Sequence, residues 1–134
     1  MIKTREVEMC SRCNVHWEVY DYCLLCEGPI KLTSISINIE ENIKIVHDTL
    51  KKVNKEQFDV LLSEHGDGPA DIKVVSLSKT DIEQILNKSV FIFNKVNGMP
   101  DKGKQRDCLG IALLDPYKMK GIEEDIRGLF IFLN

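Results

Sequence analysis

Cys10-Ser11-Arg12-Cys13 and Cys23-Leu24-Leu25-Cys26 are the segments whose reading decides how the first part of this chain folds. Each is a Cys-x-x-Cys pair, and nine residues separate the pairs. Two residues between paired cysteines let the backbone turn so that both sulfurs face one point. Four thiolates at ~2.3 Å from one zinc form a closed tetrahedral site, which holds structure and leaves no position to activate water. The spacing therefore assigns Cys10, Cys13, Cys23 and Cys26 to a structural Zn²⁺. Three other readings are weaker. One is a pair of disulfides or a thiol redox site, but a redox Cys-x-x-Cys opens a helix within a βαβ pattern, and none surrounds these cysteines. Iron also suits tetrahedral sulfur. His16 could replace a thiolate, but four cysteines are present without it.

Nine extended residues would span ~30 Å, so residues 14–22 must double back. Asn14 and Asp21 suit the turns through local side-chain hydrogen bonds. Val15, Trp17 and Val19 alternate with His16, Glu18 and Tyr20, the pattern of short β segments, with Trp17 over one side of the metal. Residues 7–28 resemble the minimal zinc ribbon, built from two knuckles of the Cys-x-x-Cys-Gly type. An aromatic often precedes the third cysteine of that class, as Tyr22 does here. Asn14 and Glu27 stand where the class has glycine, and Gly28 follows one position later. The resemblance implies zinc on the knuckle cysteines and binding to protein or nucleic acid, without a fixed activity.

The 134-residue length suits one domain with a small appendage. Gly28-Pro29 marks the boundary, giving a zinc ribbon at 1–29 and an α/β domain at 30–134. No stretch approaches the ~20 apolar residues of a membrane span. The charged start leads into no apolar signal region, so a cytoplasmic location is expected, which also suits reduced cysteines. Residues 1–30 carry three basic and five acidic side chains. Four thiolates with one Zn²⁺ add two further negative charges. A phosphate-binding surface is basic, so this balance favours a protein partner over nucleic acid.

Past the boundary, Ile35, Ile37 and Ile39 alternate with polar residues as a strand over 30–39. Ile43, Val46, Leu50 and Val53 then fall at helical spacing, with Glu40 and Glu41 at the start and Lys51 and Lys52 at the end. Phe58, Leu61 and Leu62 suggest a second short helix. Residues 71–77 read as a strand, and Ser78 or Thr80 caps a helix carrying Ile82, Ile85 and Leu86. Residues 89–96 and 108–114 read as strands, 97–106 as a polar loop, 121–127 as a helix and 129–133 as a closing strand tucked into the sheet. The expected fold class is α+β (mixed α/β): a zinc ribbon, then a single-sheet domain with helices packed on it.

The remaining motifs are weak. Residues 98–104 fit seven positions of the phosphate-binding pattern G-x-x-x-x-G-K-[ST], but Gln105 stands where the Mg²⁺-binding hydroxyl belongs, and Pro100 removes a backbone donor. Lys102, Lys104 and Arg106 make 95–106 the most basic stretch, either a solvated loop or a site for an anionic partner. His65 beside Asp67 and Asp71 suits a surface loop better than a catalytic group. His47 lies off its helix's apolar stripe, and Cys108 reads as a buried small hydrophobe. No catalytic residue is nominated. The favoured reading is a non-enzymatic zinc-ribbon protein that binds another protein as adaptor or inhibitor, in the setting of a nucleic-acid-processing machine. The alternatives are a nucleic-acid-binding protein using the ribbon and 95–106, or an enzyme with its site at 66–71 or 97–106.

Overall fold

The computed structural model describes residues 1–13, 21–23, 26–63, 73–122 and 125–134. The readings placed on Asn14, Val15, His16, Trp17 and Val19, and on His65, Asp67 and Asp71 with the 66–71 loop, lie outside these residues.

Strand β1 (Ile2–Cys10) pairs antiparallel with β2 (Ile30–Asn38), in unbroken register from Ile2↔Asn38 to Cys10↔Ile30. The strand period sorts the side chains. Lys3, Arg5, Val7, Thr33, Ile35 and Ile37 share the more buried face, while Thr4, Glu6, Glu8, Leu32 and Ser34 share the exposed one. The ribbon runs directly into helix α1 (Ile39–Lys52). Asn38 caps it, its side-chain oxygen accepting from the Glu41 N–H at 3.1 Å. Such a cap stabilises a helix by ~1 kcal/mol. Glu40 and Glu41 sit in the first turn and Lys51 and Lys52 in the last, as the helix dipole favours.

Five more strands form one sheet in the order β4-β3-β7-β6-β5, all antiparallel: β3 (Gln57–Ser63), β4 (Lys73–Ser78), β5 (Phe91–Asp101), β6 (Lys104–Tyr117) and β7 (Ile126–Phe132). Helix α2 (Lys79–Asn87) follows β4, capped by Ser78, whose hydroxyl accepts from the Asp81 N–H at 3.1 Å. The main core lies between the two helices and one sheet face, where Val46, Leu50, Ile82 and Leu86 meet Phe58, Val60, Leu129 and Ile131. Burying each such side chain contributes ~1.5–3 kcal/mol. The opposite face carries a smaller cluster of Leu61, Cys108 and Phe132.

The α+β expectation is corrected: the described residues form seven strands and two helices, and every strand pairing is antiparallel. The helix expected around Phe58, Leu61 and Leu62 is β3. Phe58, Val60 and Leu62 face the helices while Leu61 faces the other cluster, so burial on both sides erases the strand period. No helix occupies the described part of 121–127. Gly121 sits at φ +88°, in the left-handed region, and Ile126 already pairs with Tyr117 in the sheet. The expected polar loop at 97–106 is a β-hairpin. Asp101 pairs with Lys104 across a two-residue turn, with Lys102 at φ +50° and Gly103 at φ +79°, the type I′ geometry that suits sheet twist.

The Cys108 thiol is pushed up to about 11 from an ordinary 9.0, first by burial and then by the Asp107 charge. A raised folded value favours the protonated folded state. That contribution is fully present below pH ~9 and is lost as pH rises towards 11, a difference of roughly 2 kcal/mol. Urea midpoints of the chain and of Cys108→Ala, compared from pH 8 to 11, should diverge: the parent loses more stability as pH rises. Parallel pH profiles would refute this role for burial.

Candidate metal centre

Cys10 is the last residue of β1, and Ile30, its partner across the ribbon, opens β2. The ribbon pairing thus holds the chain segments on either side of the knuckles together. Tyr22 and Pro29 form an isolated antiparallel bridge that brings the second knuckle back over the strand ends. Within that knuckle the Cys23 N–H donates to the Gly28 carbonyl and the Glu27 N–H to the Cys23 carbonyl, both at 2.8 Å. Glu27 itself takes the left-handed conformation, at φ +59°, where the ribbon class places glycine. Gly28 meets a different constraint. Its N–H donates to Cys26 Sγ at 3.4 Å, and a Cβ at this residue would sit 3.2 Å from the same sulfur. The two glycine requirements, conformation and close approach, fall on successive residues.

The four sulfurs of Cys10, Cys13, Cys23 and Cys26 all lie within 4.8 Å of one another. Cys10 Sγ and Cys26 Sγ are 3.5 Å apart. Sulfurs at the corners of a zinc tetrahedron stand about 3.8 Å apart, from a zinc–sulfur distance of ~2.3 Å. The cluster is therefore of metal-binding size. Cys10 and Cys23 are buried, while Cys13 and Cys26 are half-exposed. Protonation chemistry points the same way. The Cys13 N–H, hydrogen-bonded to Cys10, lowers that thiol from its ordinary value against the cost of burial. Cys13 is pushed up to about 12, foremost by its hydrogen bond with the Cys26 thiol and then by burial. One thiolate is stabilised and its neighbour is discouraged. Four thiolates this close need a cation between them, and a bound divalent ion would displace their protons.

Lys102, Lys104 and Arg106 are brought together, with Asp59 and Asp101, around a shallow depression of about 520 Å³. Their environments differ. Lys102 and Lys104 are exposed at the hairpin tip. The Arg106 side chain is only 18% exposed. Its Nη1 donates to Asp101 at 3.0 Å and to Asp59 at 3.4 Å, its Nε donates to the Asn134 carbonyl at 3.0 Å, and its guanidinium lies 4.1 Å above the Phe132 ring. Sequence reading missed this clamp. Asp59 and Phe132 are far from Arg106 in the chain, and only the pairing of β3, β7 and β6 brings the three together. The partial phosphate-binding pattern falls on the same hairpin, where strand pairing takes up the backbone. Beside α2, His47 Nε2 lies 3.2 Å from a Glu83 carboxylate oxygen on the helix surface.

No family model matches this chain, and no curated protein or solved structure matches it significantly. No helix among the described residues is long and apolar enough to cross a membrane.

Two outcomes follow from this geometry. Cys10→Ser should abolish metal binding at the cluster and strip amide protection from β1 and β2, while the five-stranded sheet, with its own core, stays folded. Metal analysis and hydrogen exchange on the same sample check this, and global unfolding would show that the sheet depends on the centre. Arg106→Ala should destabilise the chain by ~1–3 kcal/mol through lost packing and paired charge. Lys102→Ala with Lys104→Ala should change little, because exposed charges contribute ~0–1 kcal/mol. Thermal melts compare the two.

Proposed function

We propose that this protein binds one structural Zn²⁺ through Cys10, Cys13, Cys23 and Cys26, and uses the stapled ribbon as part of a non-enzymatic surface for another protein. The observation that carries the reading is the four-sulfur cluster, closed and half-buried at the end of a long two-stranded ribbon. A two-stranded hairpin alone is marginally stable in water. A metal at one end and α1 at the other make the ribbon a rigid feature. With four sulfur ligands no position is open for water or substrate, so the centre organises the chain and performs no chemistry.

The choice of a protein partner rests on where the charges fall. Lys3 and Arg5 lie on the ribbon's inner face, and Arg5 reaches Asp115 at 3.3 Å. Glu6 and Glu8 lie on the outer face, beside exposed Leu32. An acidic outer face with exposed apolar residues suits a protein surface and repels phosphates. Lys102 and Lys104 remain open to acidic groups of the same partner. The expected cytoplasmic location suits reduced thiolates.

Zinc-loaded protein, immobilised in reducing buffer, should retain a specific protein from native-host lysate after nuclease treatment. The Cys10→Ser variant should lose it. Retention abolished by nuclease, or sub-micromolar nucleic-acid affinity with a steep salt slope, would replace this reading with nucleic-acid binding.

A further inference from the structure

The five-stranded sheet ends in β4 on one side and β5 on the other, each with one edge unpaired among the described residues. Such an edge offers a row of N–H and C=O groups, and proteins blunt it with charges, prolines, bulges or covering elements. β5 carries several of these devices. It contains Lys95 and Pro100, and its register with β6 shifts between Val96 and Met99, with Gly98 at φ +73°. Its first residue is tied to α1, whose Asn42 side-chain amide donates to the Phe91 carbonyl at 3.1 Å. β4 differs. Lys73 opens it as its one charge; Val74-Val75-Ser76-Leu77-Ser78 contains no charge, proline or glycine, and the register with β3 is unbroken. Val74 is 64% exposed beside this edge.

We infer that β4 is the edge through which two copies of this chain pair, antiparallel, about a two-fold axis normal to the sheet. Three arguments select a second copy as the occupant. A two-fold axis through an edge sets identical strands antiparallel, and every pairing in this sheet is already antiparallel. An isologous pair centred on Val75 places Lys73 opposite Leu77 and Val74 opposite Ser76, so no like charges meet. The head-to-tail alternative, β4 on β5, meets the lysine, the proline and the bulge, so pairing closes at two chains and does not continue as a fibre. The edge is short, and its contact falls below the ~1,200 Å² of standard interfaces. The dimer is accordingly reversible and depends on concentration. This inference does not rest on the metal reading.

The test uses the full chain, zinc-loaded and kept in reductant so that no intermolecular disulfide forms. Sedimentation equilibrium should show the mass rising from 15.3 kDa towards twice that value with concentration. Val74→Lys, at an exposed side chain, should weaken association about tenfold or more with an unchanged melting temperature. Asn94→Lys, exposed on β5, should leave association unaltered. In the parent chain, hydrogen exchange at residues 74–78 should slow as concentration rises, a readout that needs no variant. A monomer at every concentration overturns the proposal. So does a dimer that Val74→Lys leaves intact, or one whose formation leaves exchange in β4 unchanged.

Discussion

The placement of β7 is the constraint on which the rest of the domain depends. It lies between β3 and β6, antiparallel to both, with Ile131 opposite Val60 on one side and Leu109 on the other. Leu129 and Ile131 are fully buried beneath the helices, and Phe132 is fully buried on the far face. The sheet's two halves, β4-β3 and β6-β5, touch no common strand except this one. Residues near 60, paired on one edge with β4, gain their other strand neighbour only when residues near 130 arrive, a long loop closure that must precede much of the burial it makes possible. Such a domain closes as one cooperative unit, because neither half covers the core without the strand between them.

The β1–β2 ribbon obeys different physics. Its strands pair with each other and with no strand of the larger sheet among the described residues. Its ties to the domain include the Arg5–Asp115 pair, the chain's direct passage into α1 and the Ile39 N–H donating to the Met1 carbonyl at 3.0 Å. Apolar burial is thin, with Val7 and Ile37 as its buried aliphatic residues. A metal bound in the four-sulfur cluster would supply binding free energy that is also folding free energy, of order 10 kcal/mol for structural zinc. That is ample for a ribbon whose own core is small. One chain thus combines a sheet held by hydrophobic burial with an arm of thin burial that ends in a four-sulfur cluster of metal-binding size.

What was legible in the sequence follows from how local each signal is. The cysteine spacing, the α1 pattern with its acidic start and basic end, and the Ser78 cap all act within a few residues, and each reads directly. β3 did not read correctly, because a central strand buried on both faces shows apolar residues at helical and strand spacing alike. The 101–104 turn was obscured by Lys102, a residue type rarely found at positive φ, even though Gly103 beside it is a turn residue. β1 escaped notice because one of its faces is exposed from Ile2 to Glu8 and the other carries Lys3 and Arg5 among its apolar residues. Of the candidate site, the four sulfur positions were visible as spacing. The Arg106 clamp was not, since it depends on strand order.

Charge counting shows the same limit from another side. The total over residues 1–30 suggested an acidic ribbon but could not say which face was acidic. Strand alternation decides that by placing Lys3 and Arg5 inward and Glu6 and Glu8 outward. The same holds for the basic stretch at 95–106. Its count treats Lys102, Lys104 and Arg106 as equal, yet the sheet commits Arg106 to two carboxylates, a carbonyl and an aromatic ring. A guanidinium with its donors engaged and its face stacked is a structural element, whereas an exposed ammonium stays available to solvent and partner. The electrostatic character of this surface is therefore set by the strand pairing, which determines which of the charged residues reach solvent.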